Sequence, residues 1–229
     1  MKNNVCIITA RGGSKRIPRK NIKEFCGKPI IAYSIEAAIE SGMFCEVMVS
    51  TDDEEIAKIS KSYGASIPFM RDEKTSDDHA STADVICEVL ERYEETDVHF
   101  DNFCCVYPTA PFVSASKLRD SGALLSESVS AVVPVVQFSF PPQRAFRLKN
   151  ECIELIDSDA FKMRSQDLEP IYHDCGQFYW GKVGLFLQTC ELIPKSTKPF
   201  VVPEMEVQDI DNLSDWELAE LKFKSRMSK

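Results

Sequence analysis

The sequence predicts an α/β fold with a mostly parallel sheet and helices on both faces. Three observations carry that expectation. Short apolar runs such as Val5-Cys-Ile-Ile8 read as buried strands. Through about residue 136 these runs alternate with segments of helical period, the pattern of a parallel sheet covered on both sides. The first run also ends in a glycine-rich loop that leads into a helix, and ligands of such folds bind at the carboxyl ends of the strands.

The elements follow in order. After the strand at 5–8, Pro29 opens a helix that Gly42 stops, with Ile31, Ile35, Ala38 and Ile39 on one face. Residues 46–49 form a second strand, and Thr51-Asp-Asp-Glu54 reads as a capping box for a helix to about Tyr63. Residues 67–70 read as a short third strand. Ser81 or Thr82 caps the next helix, whose stripe is Val85, Ile86, Val89, Leu90 and Tyr93. A strand at 103–107 ends at Pro108-Thr-Ala-Pro111, a helix covers about 114–126, and 131–136 is another buried strand. Residues 138–175, rich in proline, glutamine and charge, break the alternation. They read as an arm inserted into one domain spanning 1–229, with Lys149-Asn150 as a hairpin turn. Strand character resumes at 176–180, a short helix covers 183–189, and 200–202 is the last strand. A second capping box at 214–217 starts the C-terminal helix, with Leu218, Leu221 and Phe223 among its apolar positions.

Composition narrows the function classes. The chain is 44% apolar and 28% charged, and its 229 residues can bury a core without disulfides or structural metal. Its net charge is −9, which argues against a nucleic-acid partner. That charge is uneven. Residues 11–28 hold Arg11, Lys15, Arg16, Arg19, Lys20, Lys23 and Lys28 against Glu24 alone, a local +6 on a remainder of −15. Such a cationic spot on an acidic body suits a small polyanion. The nine cysteines include no Cys-x-x-Cys pair, and His79, His99 and His173 are too scattered for a zinc site. Reduced, mostly buried thiols are expected. The N-terminus lacks the regions of a signal peptide, and no apolar segment reaches the length of a membrane span. The expected location is therefore the cytoplasm, with no membrane partner.

Three places could carry chemistry. In Ala10-Arg-Gly-Gly-Ser14 and on to Lys20-Asn21, glycines allow close backbone approach to a phosphate and successive N–H groups can form an anion nest. Arg11 and Lys20 add mobile charge. The spacing is neither Gly-x-x-x-x-Gly-Lys-[Ser/Thr] nor Gly-x-Gly-x-x-Gly. The alternative is a solvated basic loop, in which the cations would repel one another without a counter-charge. Asp209-Ile-Asp211 places two carboxylates on one side of an extended segment, a usual way to hold Mg²⁺ that also binds substrate phosphates. On the other reading Asp211 only helps cap the helix beginning near Ser214. Arg164-Ser-Gln166 and Tyr172-His-Asp-Cys-Gly-Gln177 combine an Arg, amides and a His in the arm. The Arg there either holds a carboxylate bidentately or makes structural hydrogen bonds. Ser76-Asp-Asp78, before a helix N-terminus, is a weaker candidate for lining a nucleotide pocket. Cys175 has only His173 nearby and no nucleophilic constellation.

Together these residues resemble the nonulosonic acid cytidylyltransferases, the family of the CMP-N-acetylneuraminate synthetases, over nearly the whole chain. The most specific motif is Ala10-Arg-Gly-Gly-Ser-Lys-Arg-Ile-Pro-Arg-Lys-Asn21 followed by Gly27-Lys-Pro29. Ser50-Thr-Asp52, Arg71, Pro108-Thr-Ala-Pro111 and Asp209-Ile-Asp211 fall in the family's order and spacing. Within the family, Arg16-Ile-Pro-Arg-Lys-Asn-Ile22, Phe25-Cys-Gly-Lys-Pro29 and His173-Asp-Cys-Gly-Gln-Phe-Tyr-Trp-Gly181 are most similar to the branch that activates pseudaminic acid. Many members that activate sialic acid have Gln where this chain has Tyr107, which points away from N-acetylneuraminate.

The resemblance implies a Rossmann-like nucleotide-diphospho-sugar transferase fold, a homodimer made by the arm, and Mg²⁺. It implies CTP and a nonulosonic acid as substrates, with CMP-sugar and pyrophosphate as products. Legionaminate and N-acetylneuraminate are the alternative acceptors. It gives Arg11, Lys20 and Asp211 catalytic roles, with Arg11 and Lys20 on the triphosphate. Ala10, Gly12, Gly13 and Ser14 would line the nucleotide loop, and Asn21 would meet the ribose or phosphates. Arg71, Ser81 and Thr82 would face the cytosine end. Tyr107, Arg144, Arg164, Gln166, Tyr172 and Gln177 would form the sugar side, and Asp209 and Asp211 the metal ligands. A catalytically silent nucleotide-binding module is the rival from another class, and the intact Asp209–Asp211 pair argues against it.

Overall fold

Strand β1 (Asn4–Thr9) sits inside the sheet because both of its faces are apolar. Cys6 and Ile8 enter one helical layer, Val5 and Ile7 the other, which is why the run does not alternate with polar residues. The computed structural model describes residues 3–77 and 80–227. Asp78 and His79, named in the sequence reading, lie outside the described residues.

From β1 the chain passes a small hairpin, β2 (Glu24–Phe25) and β3 (Lys28–Pro29), into α1 (Ile30–Ser41), which ends at left-handed Gly42 (φ 63°). Next come β4 (Glu46–Ser50), α2 (Glu54–Ser62), α3 (Thr82–Glu95) and β5 (Asn102–Val106). After α4 (Ala115–Gly122) and β6 (Ala131–Gln137) the chain leaves the sheet for a hairpin, β7 (Phe146–Lys149) and β8 (Cys152–Leu155), and α5 (Ser158–Lys162). It returns through β9 (Tyr172–Asp174), β10 (Phe178–Lys182), α6 (Val183–Thr189), β11 (Thr197–Val201) and α7 (Leu213–Met227).

The main sheet runs β11-β6-β10-β5-β1-β4, with β9 pairing the far end of β6. Strands β4, β1 and β5 are parallel, as are β6 and β11, while β10 and β9 run the other way. The sheet is therefore mixed but mostly parallel. Helices α1, α2 and α4 cover one face and α3 and α6 the other. After β1 the chain crosses to β4 on one side. After β5 it moves toward β6 on the opposite side. That reversal opens a crevice at the carboxyl ends of β1 and β5.

Local chemistry differs from the sequence reading at four points. Residues 67–70 form no strand, because Pro68 has no N–H to give a ladder, and only Ser66 bridges to Met48. Helix α2 is capped by Asp53, whose Oδ1 accepts the Ile56 N–H at 2.9 Å, so Thr51 and Glu54 form no box. The box on α7 lies two residues early. Asn212 Oδ1 accepts the Asp215 N–H, and Asp215 Oδ2 accepts the Asn212 N–H, both at 3.0 Å. The arm hairpin turns at Asn150-Glu151, both at positive φ (50° and 63°), one residue beyond the expected turn.

Candidate active site

The loop after β1 is held by its own acidic neighbours. Gly12 donates its N–H to Asp52 Oδ1 at 2.8 Å, and a Cβ at that position would meet Asp53 Oδ2 at 2.8 Å. A larger residue there would have to displace the Asp53 side chain. Arg19 then grips Asp53 with both terminal nitrogens, at 2.5 and 2.9 Å, and also pairs with Glu55. The guanidinium pulls the Asp53 carboxyl down to about 2, chiefly through that hydrogen bond. Ala10 is buried and bonded to the Ser50 carbonyl. Buried Asn21 donates to the Arg11 carbonyl at 2.9 Å, which closes the loop on itself. Arg11 reaches the Asp77 carbonyl at 2.8 Å.

The other half of the site comes from the far end of the chain. Ile17 and Ile210 are apolar residues in charged stretches, and both enter one aromatic cluster with Phe25, Phe112 and Trp216. Burying these two isoleucines brings the basic loop against Asp209-Ile-Asp211. Lys20 Nζ donates to the Ile210 carbonyl at 2.7 Å, and Arg16 Nη2 lies 2.6 Å from Asp211 Oδ1. Burial pushes the Lys20 ammonium below its usual range, although Asp211 and Asp209 oppose the shift. Burial and the nearby Asp211 charge push the Asp209 carboxyl up.

Beside the loop lies a cleft of about 630 Å³, lined by Thr9, Arg11, Ser14, Lys15, Arg16, Lys20, Asn21, Tyr107, Pro108 and Thr109, whereas Ala10, Gly12, Gly13, Asp209 and Asp211 do not line it. It occupies the crevice that the topology leaves at the ends of β1 and β5. Among the described residues Arg71, Ser81 and Thr82 are not in that lining. Arg71 is buried, with Nε on Ser50 Oγ at 2.9 Å and Nη2 on the Ser50 carbonyl at 2.6 Å. Ser81 makes a capping box with Asp84 at the start of α3. Thr82 Oγ1 meets the Tyr107 hydroxyl at 3.0 Å.

The arm residues are less closely tied to the cleft. Arg144 bonds Ser165 Oγ at 2.9 Å and lies over the Phe161 ring, while Arg164 pairs with Asp167. Gln166 and Tyr172 are exposed. Gln177 is buried where the arm rejoins the sheet. Its Nε2 donates to the Glu206 carbonyl at 2.6 Å, its Oε1 has no partner among the described residues, and its carbonyl accepts the Tyr107 N–H. Three features were missed by the sequence reading: the Arg19–Asp53 clamp, the Arg16–Asp211 pair, and Tyr179, whose hydroxyl donates to Asp174 beside Tyr107. The first two join segments far apart in the chain, as does the contact of Tyr179 with Tyr107, and the only local signal was the helix-capping Asp53.

Asp209 and Asp211 are the pair that could hold a divalent cation. Among the described residues no group of three or more metal-binding side chains is assembled. The chain would thus give two hard carboxylates and leave the remaining positions to phosphate oxygens and water, which is the Mg²⁺ mode. Burial first, and the nearby Asp211 charge second, raise the Asp209 carboxyl, and a cation would favour the ionised form against both. The residues fit.

Comparison with known proteins agrees with this architecture. The cytidylyltransferase family profile matches residues 5–187. The chain belongs to the cytidylyltransferases. It is 43% identical to the pseudaminic acid cytidylyltransferase of Campylobacter jejuni over 223 residues, 96% of each chain. It is 32% identical to the CMP-N,N'-diacetyllegionaminic acid synthase of Legionella pneumophila, over 94% of each. The solved structure of a CMP:2-keto-3-deoxy-manno-octonic acid synthetase complexed with CTP superposes with a TM-score of 0.71 at 18% identity, covering 98% of this chain and 99% of that one. The Rossmann-like fold expected from the sequence is thus the fold of this cytidylyltransferase, and the protein is a nucleotidyltransferase. None of its described helices is long and apolar enough to cross a membrane.

Proposed function

We propose that this cytidylyltransferase transfers CMP from CTP to the anomeric hydroxyl of a nonulosonic acid, with pseudaminic acid as the preferred acceptor, and releases pyrophosphate. The observation that carries the acceptor choice is the end-to-end 43% identity to a pseudaminic acid cytidylyltransferase, against 32% for the legionaminate relative. The acceptor oxygen attacks the α-phosphorus in line, and the bond from that phosphorus to the bridging oxygen breaks. Such transfer needs positioning and charge stabilisation more than a protein nucleophile.

In this reading Arg11 and Lys20 hold the triphosphate, and Gly12, Gly13 and Ser14 line its path. Asn21 fixes the loop backbone and meets the ribose or phosphates. The low-polarity setting of Lys20 strengthens its pull on developing negative charge. Arg71 acts from behind the cleft by shaping the end of β4, while Ser81 and Thr82 sit toward the base. Tyr107 and Gln177 form the fixed part of the sugar side, and Arg144, Arg164, Gln166 and Tyr172 the arm part. Asp209 and Asp211 hold Mg²⁺, which neutralises phosphate charge when bound. Two chains pair through the arm, supported by its exposed Phe140, Leu148 and Ile153. An acceptor panel with CTP and Mg²⁺, read by pyrophosphate release, tests the assignment. Pseudaminate should give the highest kcat/KM. A higher value for legionaminate or N-acetylneuraminate moves the acceptor, and CTP binding without turnover on any of them overturns the enzyme reading for these sugars.

A further inference from the structure

Arg16 lines the cleft, yet its guanidinium is engaged at Asp211, Nη2 to Oδ1 at 2.6 Å. Its side chain is 67% exposed, so no packing fixes it there. The groups around Asp211 are Arg16, Lys20, Asp209 and the Asp215 carboxylate, which accepts the Asp211 N–H at 2.9 Å. A divalent cation approaching Asp211 therefore meets a guanidinium on the same carboxylate. Two cations at that separation repel, and the exposed ion pair must be given up or rearranged. A triphosphate changes the balance. It enters the cleft that Arg16 already lines and offers the guanidinium a bidentate acceptor of higher charge.

Resting on the functional reading above, we propose that Arg16 is a positioning residue that makes metal binding conditional on the nucleotide. It holds Asp211 until a triphosphate takes over its guanidinium, and Asp211 then turns to the metal. Free protein binds divalent cation weakly, and nucleotide and cation strengthen each other's binding by the same factor. The arrangement would keep the cleft from filling with metal alone, while the ion pair keeps the carboxylate in place.

Mn²⁺ titration followed by electron spin resonance tests this, with and without CTP, with acceptor absent and the metal held by free CTP subtracted. In Arg16→Gln, Mn²⁺ should bind the nucleotide-free protein about fivefold tighter than in wild type, the size of one exposed ion pair. The gain in affinity on adding CTP should shrink by a similar factor, and Arg16→Lys should restore most of it. A merely structural role would change melting temperature without changing that ratio. If Arg16→Gln matches wild type in both titrations while Asp211→Asn weakens Mn²⁺ binding, this proposal falls and the metal assignment stands. If Asp211→Asn has no effect even with CTP, both fall.

Discussion

The basic loop and the arm both carry candidate substrate-binding residues, but they are built in opposite ways. The loop is cross-linked to the rest of the chain: the Gly12 N–H to Asp52, and the side chains of Arg19 to Asp53, Lys20 to the Ile210 carbonyl and Arg16 to Asp211. Arm side chains mostly bond within the arm, and its apolar residues point outward, with Phe140 87% and Leu148 83% exposed. On the proposed reading, the difference teaches that one chain organises the nucleotide half of the site by itself, and that the sugar half would be completed by whatever covers the arm.

The largest expected effect breaks the loop side. Lys20 and Lys23 lie in one turn of chain but meet different surroundings. Lys20 faces the cleft, whereas Lys23 lies over the Trp216 ring, 4.9 Å from its centroid. Lys20→Ala should lower kcat/KM by about a hundredfold or more, the scale of a lost oxyanion donor. Lys23→Ala should keep turnover within about threefold and cost about 0.5–1 kcal/mol in stability, the size of an exposed cation–π contact. Steady-state pyrophosphate assays and thermal melts separate the two. Equal activity losses would mean that the cations act only through their summed field.

The next test belongs to the arm. Leu148→Asp places a charge on the exposed β7–β8 hairpin, away from the cleft lining. Sedimentation velocity should show wild type as dimers and the variant as monomers. The KM for the acceptor should rise about tenfold, equivalent to roughly 1.4 kcal/mol, while CTP affinity stays unchanged. A variant that remains dimeric would rule out this hairpin as the interface. Unchanged acceptor KM in a monomer would show that each chain completes its own sugar side.

Much of the fold was legible because burial on both faces leaves an unbroken apolar run, as in Val5-Cys-Ile-Ile8. The reversed direction of β10 was not, since a buried apolar run such as Phe178-Tyr-Trp180 signals a strand but not which way it pairs. At the site, Asp211 does join the helix cap, its N–H donating to Asp215 Oδ2, while its carboxylate pairs with Arg16, a partner that the local sequence did not indicate. The partners within the site were illegible for a physical reason. They depend on which apolar residues share a core, and nothing local tells Ile17 that it will pack with Ile210. The Arg19 clamp further needs a left-handed backbone (φ 56°) at a residue that rarely adopts one.

That clamp gives the smallest effect, and it sharpens the comparison by asking how much of the loop's order comes from one ion pair. Asp53 has two duties: it pairs with Arg19 and caps α2 at Ile56. Its folded carboxyl titrates at about 2, below the unfolded value of about 3.9. A depressed carboxyl stabilises the fold fully above the unfolded value and loses that contribution as pH falls from about 4 through 2. Asp53→Asn keeps an acceptor for the cap and removes the charge. It should cost about 1 kcal/mol at pH 7, as expected for a partly exposed pair, and flatten the fall of Tm between pH 4 and pH 2. Asp53→Ala removes the cap as well and should cost about 1 kcal/mol more. If Asp53→Asn retains the wild-type acid limb, the loop is ordered by Gly12, Asn21 and the buried Ile17 without help from the clamp, and Arg19 is dispensable to the site.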